Sequence, residues 1–417
     1  MSAFEGPAGA GRRQPSPFSS LLECSRSKPS LAVRSTDAGS NPFTQTRPIR
    51  ILVVTARFLP DLGGTETHVH EITRRMAARG DLDLTVLTTD RWGTRPIREE
   101  FEGFEVVRCR SYPRRRDYYF APGIYRHVLG GNYDLVHCQG IHTAVPVLAM
   151  MAARRGRIPY LITLHTGGHS SYFRRRLRNV QWRSLGPLLR SAEVIVAVSR
   201  FEQQLFQKAC SLDRSRFRII QNGGNILEST KQADVIPGRI VSCGRLERYK
   251  GHQRVIEAFP IVRQSIPDAT LQILGSGPYE GQLRSLIKAL GLETSVTIEY
   301  IAPYDRERMA QTLGGAAVVA SLSEYEAHPV AIMEALTLGI PTVGLDTAGI
   351  GDLVEDGMVR GVPTDASPAM IAQILIAALE DHHVSGSAML PTWDSAAAHL
   401  AQIYIDVVSA ASTSHRS

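Results

Sequence analysis

Short apolar runs alternate with longer amphipathic stretches along most of the chain. The runs lie at residues 49–55, 84–89, 104–108, 135–137, 160–164, 192–198 and 218–220, and again at 240–244, 271–274, 296–300 and 315–320. Each is short and mostly apolar, and some are closed by Gly or Asp, which is how strands buried on both faces read. Between them the apolar positions fall at helical spacing. Val69, Ile72 and Met76 form one such stripe, residues 143–153 form a second, and Val180, Trp182, Leu185, Leu188 and Leu189 form a third. Strand and helix in alternation predict an α/β protein with a doubly wound parallel sheet. The rhythm stops at a polar linker, residues 228–237, and restarts at 240. The chain therefore divides into Rossmann-like domains at 48–228 and 238–391, a natural partition for 417 residues. Residues 1–47 are rich in Ser, Pro, Gly and Arg and lack apolar periodicity, which predicts a disordered extension. They hold no apolar run of about 7 to 15 residues, as a secretory signal requires. Their abundance of Arg and Ser with few acids leaves a transit peptide open.

One junction concentrates chemistry. The apolar run 315–320 leads into Ser323-Glu324-Tyr325-Glu326-Ala327-His328-Pro329-Val330 and then a helix that Gly339 and Pro341 stop after about ten residues. Pro329 suits the first turn, where no backbone donor is missed. Glu326 is then placed in the turn at the strand's C-terminal end and Glu334 on the helix eight residues later. The C-terminal ends of strands are where open α/β sheets bind ligands. A helix N-terminus there favours a diphosphate, while carboxylates accept from sugar hydroxyls. Two surface glutamates on an ordinary helix would give the same letters.

Three other turns share that address. Gly63-Gly64-Thr65-Glu66 follows the first strand, and its paired glycines let backbone approach a ligand closely. The spacing is not that of a dinucleotide fingerprint. His165 follows the run 160–164, where an imidazole can hydrogen-bond a sugar hydroxyl. Arg245 and Lys250 bracket the turn after 240–244, where a forked donor and a point charge can neutralise a diphosphate.

The spacing Glu326-x7-Glu334 resembles the Glu-x7-Glu motif of retaining glycosyltransferases of the GT-B fold, specifically glycosyltransferase family 4 (glycosyl transferases group 1). Gly244-Arg245-Leu246-x-x-x-Lys250-Gly251 matches that family's diphosphate motif at every specified position, and Gly63-Gly64-x-Glu66 resembles its opening glycine loop. Gln221-Asn222-Gly223-Gly224-Asn225 resembles its hinge signature, with Gln221 and Gly224 departing from it, and Leu274-Gly275-Ser276-Gly277-Pro278 matches a further glycine turn. The family motif commonly reads Glu-Gly-Phe-Gly where this chain has Glu326-Ala327-His328-Pro329, and Ala302 stands where a glycine is usual. The resemblance spans residues 49 to about 410 and implies two Rossmann-like domains facing a cleft, with the last helix, 392–411, crossing back onto the first. It implies transfer of a hexosyl unit from a UDP- or GDP-sugar, with retention, to a glycan or lipid-linked saccharide. In the implied roles Arg245 and Lys250 hold the leaving diphosphate, Glu334 accepts from the ribose, and Glu326 and His165 hold the transferred sugar. Gly63, Gly64, Ala327, His328, Pro329 and Val330 complete the donor contacts. A nucleotide-sugar epimerase of the same architecture and a non-catalytic nucleotide-sugar binder are the alternatives.

Charge adds one distinction between the halves. Residues 1–228 carry 34 Lys and Arg against 19 Asp and Glu, a balance of +15, whereas residues 229–417 carry 13 against 21, a balance of −8. With Tyr172-Phe173-Arg174-Arg175-Arg176-Leu177-Arg178, the basic half points to an anionic partner, a membrane surface or a phosphate-bearing acceptor, while no nucleic-acid module accompanies the charge. An ordinary core helix with a basic outer face would have the same pattern. Five scattered cysteines without a Cys-x-x-Cys fit a reducing compartment, and no apolar run reaches about 18 residues, so a cytoplasmic protein, peripheral at most on the inner face of the membrane, is expected. No metal and no cofactor are expected. Asp81-Leu82-Asp83 precedes a strand rather than following one, and neither His68 with His70 nor His165 with His169 has a third ligand at a fitting spacing.

Overall fold

The computed structural model describes residues 47–61, 63–113, 120–166, 172–224, 233–302, 305–381 and 390–414, without the side chains of 172–180 and 414. The extension at 1–46, the first part of the linker, Gly167, Gly168 and His169, and the arginine side chains at 174, 175, 176 and 178 lie outside the described residues.

The first sheet has eight strands in the order β3-β4-β2-β1-β5-β6-β7-β8. They are β1 (Ile49–Val54), β2 (Leu82–Asp90), β3 (Arg98–Phe101), β4 (Phe104–Arg110), β5 (Leu135–Gln139), β6 (Tyr160–Thr163), β7 (Val194–Ala197) and β8 (Phe217–Ile219). All neighbours pair in parallel except β3, an antiparallel edge strand against β4. Its Arg-Glu-Glu-Phe sequence hides no apolar run, as befits an edge. Helices α1 (Gly64–Ala77), α2 (Pro122–Gly130), α3 (Ala144–Gly156), α4 (Tyr172–Ser191) and α5 (Arg200–Cys210) cover the two faces.

The second sheet has six parallel strands in the order β11-β10-β9-β12-β13-β14. These are β9 (Arg239–Cys243), β10 (Thr270–Leu274), β11 (Val296–Glu299), β12 (Val318–Ser321), β13 (Thr342–Leu345) and β14 (Arg360–Val362). Around them pack α6 (His252–Ser265), α7 (Glu280–Ala289), α8 (Arg306–Gly314), α9 (Val330–Thr337), α10 (Ala348–Glu355) and α11 (Pro368–Glu380). The last helix, α12 (Trp393–Ser414), leaves this domain and joins the core of the first, where Trp393, Leu400 and Tyr404 are buried with Val69, Ile72 and Met76 of α1. Burying an aromatic of this size contributes roughly 1.5–3 kcal/mol, so Trp393 and Tyr404 anchor the crossover.

The order of strands fixes where the ligand crevice is. The direction in which successive strands are added across the sheet reverses between β1 and β5 in the first sheet and between β9 and β12 in the second. Loops leaving the C-terminal ends of those four strands diverge and open a cleft. They carry Gly63-Gly64, Gln139 to Thr143, Arg245 to Lys250, and Glu324 to His328.

Several expected boundaries move. The helix after Glu326 begins at Val330 with Pro329 as its cap, one residue later than expected, and runs eight residues rather than ten. The strand before it is β12, starting at Val318 rather than 315, because Ala316 and Ala317 belong to the connection from α8. Asp83 is part of β2 rather than a loop before it, and its carboxylate lies 3.6 Å from Arg50. The edge strand β3 and helix α2 have no counterpart in the apolar pattern, being short and half polar.

The domains are joined at close range. A Cβ on Gly223 would lie 2.1 Å from the Trp393 nitrogen, and one on Gly224 would lie 2.1 Å from the Met333 carbonyl in α9. The departure at Gly224 thus coincides with a backbone approach that no side chain permits. On the other side of the interface the Phe201 amide donates to the Asp352 carboxylate (2.9 Å) and Arg200 to Asp356 (3.0 Å), tying α5 to α10.

Candidate active site

The wall of the cleft on the second domain is built from the loops after β9 and β12, which lock each other. Gly251 has φ +75°, and a Cβ there would sit 2.0 Å from the Leu322 carbonyl. The Glu324 amide donates to the Tyr249 carbonyl (2.8 Å), and the rings of Tyr249 and Tyr325 stack with centroids 4.3 Å apart. These contacts bring Lys250 to Glu326, whose side chains form an ion pair. Burial pulls the Lys250 ammonium down, and Glu326 more than offsets it, so its pKa is raised and it stays charged. Arg245 reaches into the open cleft with its side chain 63% exposed, donating to the Tyr249 hydroxyl (2.9 Å) and pairing with Glu247 (3.0 Å). A Cβ on Gly349 would lie 1.7 Å from the Ala327 carbonyl, and the Gly349 amide donates to the Glu326 carbonyl (2.8 Å). The Glu326 loop is therefore seated on the start of α10 as well as on the loop after β9.

Opposite it, on the first domain, stands a cluster of neutral imidazoles, while Arg57, Asp61, Glu66 and Arg91 of that domain also line the cavity. His165 follows β6 with φ 57°, a left-handed conformation that turns its side chain into the cleft. Its Nε2–H donates to Gln139 Oε1 (2.7 Å), which leaves Nδ1 as the acceptor. Burial, with His68, His142 and His137 nearby, holds the His165 pKa well below the ordinary value. His68, packed edge-on against His165 with centroids 4.6 Å apart, donates from Nδ1 to Asn222 (2.9 Å) and is lowered to about 4 by burial. Asn222 passes the link on, donating to the His328 carbonyl across the domain boundary (2.9 Å). Behind them His137 bonds Tyr404 of α12 (2.6 Å) and Thr163 (2.8 Å) and is lowered to about 3, again by burial. Glu202 is the group that aims this wall. One oxygen of its fully buried carboxylate accepts from the Thr166 amide, and the other accepts from the Val198 amide (2.9 Å). Burial pushes its pKa up to about 8.

Between the walls lies a cavity of about 690 Å³. Gly63, Gly64, His165, Arg245, Lys250, Glu326, Ala327 and His328 all line it. Three of the expected donor contacts stand elsewhere. Pro329 caps α9 and Val330 packs against the core of the first domain. Glu334, buried to 5% exposure, forms an ion pair with Arg306 of α8. Burial raises the Glu334 pKa, and Arg306 pulls it back. The His328 side chain is buried, and neither ring nitrogen has a hydrogen-bond partner among the described residues. Among those residues no group of three or more His, Cys, Asp or Glu is placed to hold a metal ion, and no helix is long and apolar enough to cross a membrane.

Sequence reasoning missed Glu202 and the Tyr249–Tyr325 stack, and it placed Asn222 in the hinge motif without its bond to the His328 carbonyl. Glu202 had a signal: Ser199-x-x-Glu202 has the letters of a capping box, and Ser199 does accept from the Glu202 amide (3.2 Å). The carboxylate, however, passes over the Ser199 amide and accepts from Val198, one residue before the cap, and from Thr166 on the neighbouring loop after β6.

The family model for Glycosyltransferase Family 4 matches residues 62–226, and that for Glycosyl transferases group 1 matches residues 230–388. The chain is 26% identical over 345 residues to a GDP-mannose:cellobiosyl-diphosphopolyprenol alpha-mannosyltransferase of Komagataeibacter xylinus, covering 80% of this chain and 85% of the relative. It is 24% identical to a glycogen synthase of Mycobacterium tuberculosis, covering 76% and 84%. Among solved structures, a sucrose-phosphate synthase from Thermosynechococcus elongatus superposes with TM-score 0.71 at 18% identity, covering 87% of this chain and all (100%) of that one. Anabaena HepE in complex with UDP and glucose does so with TM-score 0.62 at 19% identity, covering 88% and 99%. Two family models that between them span both domains, and neighbours sharing the two-sheet fold, agree with the cleft and its motifs: this chain belongs to glycosyltransferase family 4 and is a glycosyltransferase of the GT-B fold.

Proposed function

We propose that the enzyme transfers a hexosyl unit from a UDP- or GDP-sugar, with retention and without a metal, to a saccharide carried on a lipid diphosphate. The observation that carries this reading is the convergence of Arg245, Lys250 and Glu326 on one wall, opposite His165 on the other. Two cations at the C-terminal edge of a sheet suit a departing diphosphate, whose charge grows as the bond to the anomeric carbon breaks. An entering donor would compete with Glu326 for Lys250, releasing the carboxylate to accept from sugar hydroxyls. His165, neutral with Nδ1 as acceptor, can take a hydrogen bond from the sugar without adding charge. In the same-face reaction the bond from the anomeric carbon to the leaving phosphate oxygen breaks, the bond to the acceptor oxygen forms, and the acceptor proton passes to the leaving phosphate.

The acceptor reading draws on the relative named for a cellobiosyl-diphosphopolyprenol acceptor, and on the basic balance of the first half, +15 over residues 1–228. A basic face of this kind fits a cytoplasmic enzyme working against an anionic membrane surface. The test is transfer from UDP-glucose and GDP-mannose to octyl β-cellobioside, with the product's anomeric configuration read by proton NMR. An α-linked product, formed at an unchanged rate in EDTA, is expected. A β-linked product, an epimerised free sugar, or activity abolished by EDTA and restored by magnesium would contradict the proposal.

A further inference from the structure

The cleft has a third feature, on neither the histidine wall nor the ion-paired one. Trp92 follows β2, lines the cavity together with Arg245 and Tyr249 from the other domain, and is 58% exposed. Single exposed aromatics are common and need no function. This one is held in place. Asp90, itself 8% exposed, accepts from the Trp92 and Gly93 amides through one oxygen (2.9 Å each) and from the Arg95 amide through the other (3.0 Å). A buried carboxylate thus fixes the backbone of the turn that carries the indole. Gly93 supplies the φ of +69° that the turn requires, and the Arg91 guanidinium lies 5.9 Å from the indole centroid. A rigid, exposed indole on the wall of a polar cleft is the arrangement that binds the apolar face of a pyranose ring, because stacked C–H groups bury area without an ordering cost.

Resting on the glycosyltransferase reading above, we infer that Trp92 is the stacking platform for a sugar ring of the acceptor, and that Asp90 is the residue that positions it. The diphosphate-binding Arg245 and Lys250 and the Glu326 loop lie on the second domain, and this edge of the first, away from Gly63, Gly64 and His165 in sequence, is assigned to the saccharide that receives the sugar. Arg91 and Arg57, which line the same side, place positive charge where an acceptor phosphate would follow the stacked ring.

The molecule supplies its own probe. Of the three tryptophans, Trp182 and Trp393 are buried at 4% and 1% exposure, so acrylamide quenching of intrinsic fluorescence reports Trp92. With UDP bound, cellobiose, maltose or octyl β-cellobioside should protect Trp92 from quenching. In transfer to octyl β-cellobioside, Trp92→Ala should raise the acceptor KM about tenfold and leave the donor KM unchanged, and Trp92→Phe should recover most of the loss. Quenching unaltered by all three glycosides, or an unchanged acceptor KM in Trp92→Ala, would overturn the subsite. Absence of transfer together with unaltered quenching counts the same way. Failure of the wild type to bind UDP or GDP would instead strike at the donor reading, leaving the two results distinguishable.

Discussion

The two walls of the cleft solve different problems with opposite chemistry. On the second domain the polar groups are charged and paired, Lys250 with Glu326 and Arg245 with Glu247. On the first the groups opposite the paired charges are neutral imidazoles, His68, His137 and His165, each held by an amide or hydroxyl, with the charged Arg57 and Arg91 lining the same cavity. Paired charges can exchange partners when an anion arrives, so that wall suits a group whose charge changes during the reaction. Neutral imidazoles fixed by Gln139, Asn222 and Tyr404 offer position without net charge, which suits a sugar. Charge complementarity and positioning are thus assigned to different domains, and the link between them runs through Asn222 and the Gly223–Gly224 hinge.

The largest expected effect lies on the charged wall. Lys250→Ala removes a cation from the leaving group and should lower transfer about 10²–10³-fold. The melting temperature should change little, since Glu326 faces the cleft and can rehydrate. A wild-type rate would end the assignment of Lys250. The hinge comes next. Gly224→Val would drive a side chain into the Met333 carbonyl, which a Cβ alone would approach at 2.1 Å. Thermal unfolding should show a loss of about 1–3 kcal/mol, as overpacking elsewhere does. A melting temperature equal to wild type would show that the domains separate freely at this point.

A further effect, on stability alone and not on transfer, is read by pH. His68 is lowered from 6.5 to about 4, His137 to about 3 and His328 to about 4, all by burial. Because these folded-state values are depressed, the unfolded chain binds more protons between them and 6.5. Their contribution is fully present above pH 6.5 and is lost as pH falls toward about 4. Glu202 works the other way, since its folded value is raised to about 8. Its contribution is present below its ordinary 4.5 and lost as pH rises through about 8. Three imidazoles outweigh one carboxylate, and each proton is linked to about 1.4 kcal/mol per pH unit. Urea titrations should therefore show stability falling from pH 6.5 toward 4. In Glu202→Gln the decline on the alkaline side should flatten. A wild-type profile level across the acid range would contradict burial of neutral imidazoles.

The charged wall was legible because each of its loops is contiguous in sequence. Arg245 and Lys250 sit five residues apart after one strand, and Glu326 sits in the turn after another, so strand patterning and motif spacing place them without tertiary information. The neutral wall is assembled from His68, His137, Gln139, His165 and Asn222, which lie on four separate segments and become neighbours only when the sheet order is known. His165 was placed through its position at a strand end and Asn222 through the hinge motif. Glu334 shows the limit within a motif. Its spacing puts it on α9, but its partner Arg306 sits 28 residues earlier, on a helix that the apolar pattern did not resolve. Trp92 carried no signal, because a turn held by a buried aspartate has no periodicity.

The division of labour between the walls is tested most directly by calorimetric titration of UDP and GDP into the wild type, Lys250→Ala and Trp92→Ala. The account predicts that at least one nucleotide binds the wild type, that Lys250→Ala weakens it at least about tenfold through loss of a charge-assisted contact to phosphate, and that Trp92→Ala leaves it unchanged. Equal affinity in wild type and Lys250→Ala, or a loss confined to Trp92→Ala, would contradict it.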